Sequence, residues 1–141
     1  MVVHISKAQL DYFRRKARAT NKEIYGILFG SVESADAVFV NYIDYPALEV
    51  QTVQGVTPSE ADEQNAKEMA EDAGFIKIGT IHSHPGVPCY MSPSDHRSHL
   101  ADGDIVSGIV EVVGGKTRVA FWQPYSSLPC TVKTYFNRNR D

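Results

Sequence analysis

The sequence predicts a layered domain, α/β or α+β, with one central sheet and helices packed against it. Three observations predict it. Two long segments have apolar residues at helical spacing, and several short runs rich in apolar and β-branched residues have the length of strands. Glycines and capping residues separate the segments. The 141 residues match about one domain on a prior of roughly 150 residues each. The expected domain spans residues 1–136, and the polar residues 137–141 form a tail expected to fray.

The first helix is expected from about Ser6 to Thr20. Ser6 with Gln9 is a capping-box pair, and Leu10, Phe13 and Ala17 share one face. Arg14, Arg15, Lys16 and Arg18 crowd its C-terminal half, where the helix dipole favours cations. They read as a solvated face, with docking of an acidic partner the lesser alternative. Glu23–Gly30 and Val38–Ile43 read as strands. In the second helix, Thr57 is the expected N-cap, Pro58 the first helical residue and Glu60 the capping-box acid. This helix runs to Ala73 and stops at Gly74, with its acidic residues facing solvent. Phe75–His82 reads as a strand leading into a loop, and Ser92-Pro93-Ser94-Asp95 as the start of a short helix ending near Gly103. Strands of about Ile105–Val113 and Lys116–Trp122 flank Gly114-Gly115, a two-residue hairpin signal. Cys130–Phe136 is the last expected strand.

Composition excludes several classes. A net charge of −3 does not suit nucleic-acid binding by charge alone. The balance of 43% hydrophobic and 22% charged residues is that of an ordinary globular chain. No apolar run reaches the roughly 18 residues that span a membrane, and the N-terminus lacks the apolar core of a signal peptide. Cys89 and Cys130 make no disulfide framework, although one bridge stays open. A cytoplasmic protein with free thiols is the expectation.

The chemistry concentrates in His82-Ser83-His84-Pro85-Gly86-Val87-Pro88-Cys89-Tyr90-Met91-Ser92-Pro93-Ser94-Asp95. His82 and His84 are two apart at a strand end, so both rings point to one side. Such a pair can share a metal ion, and Asp95, beyond a proline-rich loop, can return to it. Two histidines and one aspartate are the three-ligand set of a catalytic zinc, which keeps a position open for water. A closed structural zinc site is not expected, because the chain has no Cys-x-x-Cys. His-x-His alone is a weak signal, and most strand histidines hold no metal. Ser92 is in any case a good N-cap, and Asp95 suits a helix N-terminus. His96 and His99 form a rival pair at helical spacing and read as surface residues. Water at zinc needs a proton acceptor; Glu23, just before a buried strand, is the candidate, and an ordinary surface end-cap is the alternative.

Glu23, His82-x-His84, ten residues, then Asp95, with Ser92 three before it, resembles the JAMM (MPN-plus) metalloprotease signature. The loop from His82 to Asp95 is similar to that of the proteasome-lid and signalosome deubiquitinating subunits, and Glu23–Gly30 to the family's first core strand. The resemblance implies an MPN fold, a mixed sheet flanked by helices in a cytidine-deaminase-like layout. It implies one Zn²⁺ per chain on His82, His84 and Asp95, with Glu23 as general base and Ser92 as oxyanion donor. Cys89 matches a loop cysteine of those relatives and reads as packing, not as a nucleophile. The implied reaction is hydrolysis of a peptide or isopeptide bond at the C-terminal tail of a ubiquitin-like protein.

The segments Ile43–Thr57 and that following Asp95 are short, where linkage-specific ubiquitin enzymes carry insertions, so the chain is similar to the compact members of the family. Alternatives are a peptidase of cell-wall peptides or of a sulfur-carrier C-terminus, and a non-catalytic scaffold, which usually lacks a ligand. A zinc nucleobase deaminase would need His-x-Glu and Pro-Cys-x-x-Cys, and neither is present. The expected partner is a ubiquitin-like protein or conjugate, with no nucleic acid and no membrane. The sequence does not fix the oligomeric state, and a homodimer is compatible with it.

Overall fold

The computed structural model describes residues 1–53, 55–86, 103–124 and 128–136. The chain starts with a strand that periodicity did not single out. β1 (Val2–Ser6) buries Val3 and Ile5, then passes directly into α1 (Lys7–Arg18). Ser6 makes the transition: its hydroxyl oxygen accepts from the Gln9 amide as the expected cap. The Gln9 side chain does not return to Ser6. Its Oε1 accepts from the Ile43 amide at 2.9 Å and ties the helix to the sheet.

The following elements are β2 (Tyr25–Ser34), β3 (Ala37–Asp44), β4 (Leu48–Gln51), β5 (Val56–Pro58) and α2 (Glu60–Asp72). After them come β6 (Ile76–Pro85), β7 (Val106–Val113), β8 (Lys116–Trp122) and β9 (Thr131–Tyr135). Seven strands form one sheet in the order β8-β7-β6-β2-β3-β1-β9. β1 runs parallel to β3 and β9, and β6 parallel to β7; the other neighbours are antiparallel. The sheet is therefore mixed, as predicted. Gly114 and Gly115 have φ of 59° and 76°, which a two-residue turn with both central residues left-handed requires.

Each face of the sheet carries one of these helices. α1 packs Leu10, Phe13 and Ala17 against Ile5, Leu28, Val40, Ile78 and Val110. α2 covers the other face through a smaller contact, Ala66 and Ala70 against Ile27 and Phe29, rimmed by Tyr25, Tyr42 and Phe75. Full burial of one such large apolar side chain contributes about 1.5–3 kcal/mol, so the α1 face holds most of the apolar stabilisation.

Three boundaries differ most from the sequence prediction, the first being β2, which begins at Tyr25 and runs past Gly30 to Ser34. Thr57 and Pro58 do not begin α2. They pair with Val50 and Leu48 in a separate two-stranded ribbon, β4–β5, and Ser59 is the N-cap, its oxygen accepting from the Asp62 amide. Proline suits a short ribbon as well as a helix start, because both tolerate its missing N–H, and local sequence could not choose. β6 continues past His82 to Pro85, carrying both histidines on the strand. α2 stops before Gly74, as expected. The third expected helix, from Ser92, and the tail 137–141 lie outside the described residues. Among the described residues no helix is long and apolar enough to cross a membrane.

Gly79 lies where β6 bends: the β2–β6 register shifts opposite it, and a Cβ there would stand 1.7 Å from the Val106 carbonyl oxygen. Gly79→Ala must push β7 away from β6 just before the histidines. We expect a loss of about 1–3 kcal/mol or more, read as a fall in melting temperature of about 2–4 °C per kcal/mol. An unchanged melting temperature would contradict this packing.

Candidate active site

The site is built on the register between β2 and β6. The last regular pair is Tyr25 with His82. Beyond it, Ser83 takes over the ladder: its amide donates to the Ile24 carbonyl at 3.1 Å, and its Oγ accepts from the Ile24 amide at 2.9 Å. A side-chain oxygen thus stands in for a backbone carbonyl, and the pairing extends one residue past the regular strand. The next residue outward is Glu23, which precedes Ile24 and lies outside β2. Glu23 is held from its other side too. Its amide donates to the Thr52 carbonyl at 2.7 Å, and its carbonyl accepts from Gln51 Nε2 at 3.2 Å, both near the end of the β4–β5 ribbon.

Strand alternation puts Tyr25 and Ile27 on the α2 face of the sheet. Their register partners put His82 and Thr80 on the same face, and His84 follows by alternation. His82 and His84 are 6% and 7% exposed, their rings face each other, and their Nε2 atoms lie 2.9 Å apart. Two nitrogens this close either share a proton or face one cation. Tetrahedral zinc with Zn–N of about 2.0–2.1 Å would hold two nitrogens about 3.3 Å apart, so a small ring rotation suffices. The donor set and the burial fit such an ion.

Of the expected site residues, the structure brings Glu23, His82 and His84 to one end of the β2–β6 pair. Ser92, Asp95, Cys89, His96 and His99 lie outside the described residues. Among the described residues, no group of three or more histidine, cysteine, aspartate or glutamate side chains is arranged to hold a metal. Cys130 is a free thiol, half-buried on the α1 side, and burial raises its pKa, away from a reactive thiolate.

Three supporting features had not been recognised in the sequence. Ser83, between the histidines, is fully buried and makes the two bonds that carry the register. Asp104, at the entry to β7, has a fully buried carboxylate; it accepts from Thr80 Oγ1 at 3.0 Å and meets Lys77 Nζ at 3.3 Å. This ties the start of β7 to the strand bearing the histidines. Glu111 on β7 is in register with His84, and its Oε2 is buried without a hydrogen bond, 3.6 Å from Arg118 Nε. The available signal was an acid within the apolar run Val110-Glu111-Val112, which marks a residue not aimed at ordinary solvent.

The family model for the JAB1/Mov34/MPN/PAD-1 ubiquitin protease matches residues 3–101. The chain belongs to this family. Among the relatives of this JAB/MPN chain, the AMSH-like ubiquitin thioesterase 1 of Arabidopsis thaliana is 28% identical over 102 residues, 70% of this chain and 19% of that protein. The AMSH-like protease sst2 of Schizosaccharomyces pombe is 28% identical over 97 residues, 69% of this chain and 21% of that protein. The chain thus spans about a fifth of the length of these relatives. The fold also occurs in solved structures. The solution structure of protein DSY2949 from Desulfitobacterium hafniense superposes with a TM-score of 0.76 at 18% identity, covering 96% of this chain and 94% of that one. AF2198, a JAB1/MPN domain protein from Archaeoglobus fulgidus, gives a TM-score of 0.62 at 16% identity, covering 93% and 97%. The JAB/MPN fold anticipated from the motif is therefore the fold of this chain.

The Ser83 hydroxyl can be tested directly. Ser83→Ala leaves the Ile24 amide without its acceptor in a buried place, at a cost of about 1–3 kcal/mol. The Ile24 amide should then exchange with deuterium faster than in the wild type, while amides of β8 keep their rates. Equal protection of Ile24 in both proteins would show that the bond does not hold this end of the site.

Proposed function

We propose that this JAB/MPN domain is a zinc-dependent hydrolase of peptide or isopeptide bonds at the C-terminal tail of a ubiquitin-like protein. The observation that supports it most is the buried imidazole pair, Nε2 to Nε2 at 2.9 Å, at the end of β6 where Ser83 bonds to Ile24, the neighbour of Glu23. His82 and His84 are the nitrogen ligands, and Asp95 supplies the carboxylate that completes the set. When bound, the ion supplies Lewis acidity toward the scissile carbonyl and a water nucleophile at neutral pH. Glu23 accepts the proton of the attacking water and returns it to the leaving amine. The Ser92 hydroxyl donates a hydrogen bond to the oxygen that gains charge in the transition state. The strand pairing of Ile24 with Ser83 and the tether from Gln51 and Thr52 hold the Glu23 backbone steady for both transfers.

The substrate class follows from the family and from the ribbon beside Glu23. A two-stranded ribbon has outer edges, and an extended tail binds such an edge by backbone hydrogen bonds, which suits a flexible C-terminus. Val50 and Val53, both about half exposed here, are apolar positions such a tail can cover. The family model and one of the two relatives carry ubiquitin in their names, and a ubiquitin-like protein is the substrate we assign.

Purified protein should hold about one zinc per chain and cleave a C-terminal fusion to a ubiquitin-like protein, losing that activity to a chelator. Glu23→Gln should keep the zinc and lose at least about 10²-fold in rate, the usual contribution of a general base. His84→Ala should lose the zinc. Metal analysis and a cleavage assay on the same samples decide: activity in metal-free protein, or full activity of Glu23→Gln, would refute the assignment.

A further inference from the structure

On the face of the sheet opposite the histidines, α1 and Thr117 of β8 border an open cavity of about 290 Å³ lined by Asp11, Arg14, Arg15, Arg18 and Thr117. Three guanidinium groups therefore line one small cavity of a chain whose net charge is −3. Among the described residues none of the three pairs with a carboxylate. The acid in the cavity is already committed: Asp11 accepts from Lys7 Nζ at 2.6 Å, and this bond, with the charges of Arg14 and Arg15, holds its carboxyl below the usual range. Asp11 thus stays ionised, and its charge is answered by Lys7. The excess positive charge in the cavity comes from the arginines.

Two of the arginines are positioned in advance. Arg14 Nε donates to Thr117 Oγ1 at 3.0 Å across the gap between helix and hairpin, leaving its terminal nitrogens for another acceptor. The Arg15 guanidinium lies 5.7 Å from the centre of the Tyr12 ring. Lys16, the other cation of this stretch, lies over the Tyr12 and Tyr45 rings and does not line the cavity. Like charges held together in a concave place repel unless an anion enters. Restrained side chains also lose less entropy when it does.

We propose that this cavity binds a phosphoryl group, carried by a small phosphate compound or by a phosphorylated side chain of a partner. A carboxylate offers one charge and two oxygens. A phosphoryl group offers a charge of about −1.5 to −2 and three acceptor oxygens, a better match to three forks of paired N–H donors. The cavity is at the small end of the roughly 300–1,000 Å³ typical of ligand sites and has room for a phosphoryl group, while its open side leaves space for whatever carries that group. Arg15 and Arg18 are exposed, as the solvated face expected from the sequence requires, and the phosphoryl group adds a ligand for that face.

The probes are inorganic pyrophosphate, a phosphoserine peptide and the same peptide carrying glutamate in place of phosphoserine. Each is titrated into the full chain at about 0.15 M ionic strength, with the arginine Nε–Hε resonances as the readout. The expected result is a saturable shift at Arg14, Arg15 and Arg18 with pyrophosphate, the phosphopeptide or both. The tighter of the two identifies the source of the group. Arg15→Gln with Arg18→Gln, both exposed positions, should weaken that binding at least tenfold and leave the melting temperature without ligand unchanged. Shifts that grow linearly, that sodium chloride reproduces, or that the glutamate peptide matches at equal concentration would overturn the proposal, as would unchanged affinity in the double variant. The readout is independent of hydrolysis, so it stands or falls apart from the zinc site.

Discussion

The antiparallel pairing of β2 with β6 decides where the candidate site residues can lie. One strand brings His82 and His84 two residues apart on one side, and the other brings Glu23 to the same end. Past Tyr25 and His82 one backbone bond continues the pairing, from the Ser83 amide to the Ile24 carbonyl. Ser83 prolongs it by lending its own oxygen to the Ile24 amide, so a residue 59 positions away in sequence is held in line with the histidines. A shift of one residue along β6 would turn His82 and His84 to the α1 face, into an apolar core where unpaired polar rings would be costly. Burial on that face therefore also protects the register.

The opposite face tolerates polarity, and the sheet uses it. Thr80, His82 and His84 on β6 adjoin Ser107, Ile109 and Glu111 on β7, in parallel register. Several polar atoms there, Ser107 Oγ, Glu111 Oε2 and Trp122 Nε1, are buried without a hydrogen bond. Orphaned polar atoms weaken a fold, and a cluster beside paired imidazoles is the kind of departure from a well-satisfied interior that functional sites show. α2 covers this face with two alanines where α1 covers the other with Leu10 and Phe13, so less apolar material closes over the polar row.

Much of this was legible in the sequence because local rules and tertiary structure agree. Leu10, Phe13 and Ala17 repeat at helical spacing, and all three are buried. Gly114-Gly115 sits between two β-rich runs and makes the hairpin. The rest depended on contacts distant in sequence. β1 was missed because a five-residue strand running straight into a capped helix has no turn to announce it. Thr57 looked like a cap because Ser59, the true one, sits behind a proline that fits either role, and only pairing with Leu48 and Val50 decides. The histidines were evident from their spacing. Glu23 was an end-cap or a catalytic acid on local grounds, and its role as an acid rests on the resemblance to the family motif. Ser83 and Glu111 carried no signal strong enough to single them out, since their importance lies in which residue of another strand stands opposite.

The most direct test is diffraction from crystals grown with zinc, with data collected on both sides of the zinc absorption edge. The account predicts one anomalous peak per chain, within about 2.0–2.1 Å of His82 Nε2 and His84 Nε2, with the Asp95 carboxylate as third protein ligand and the Glu23 carboxylate one solvent molecule away. A peak elsewhere, or Glu23 turned out of the pocket, would contradict it.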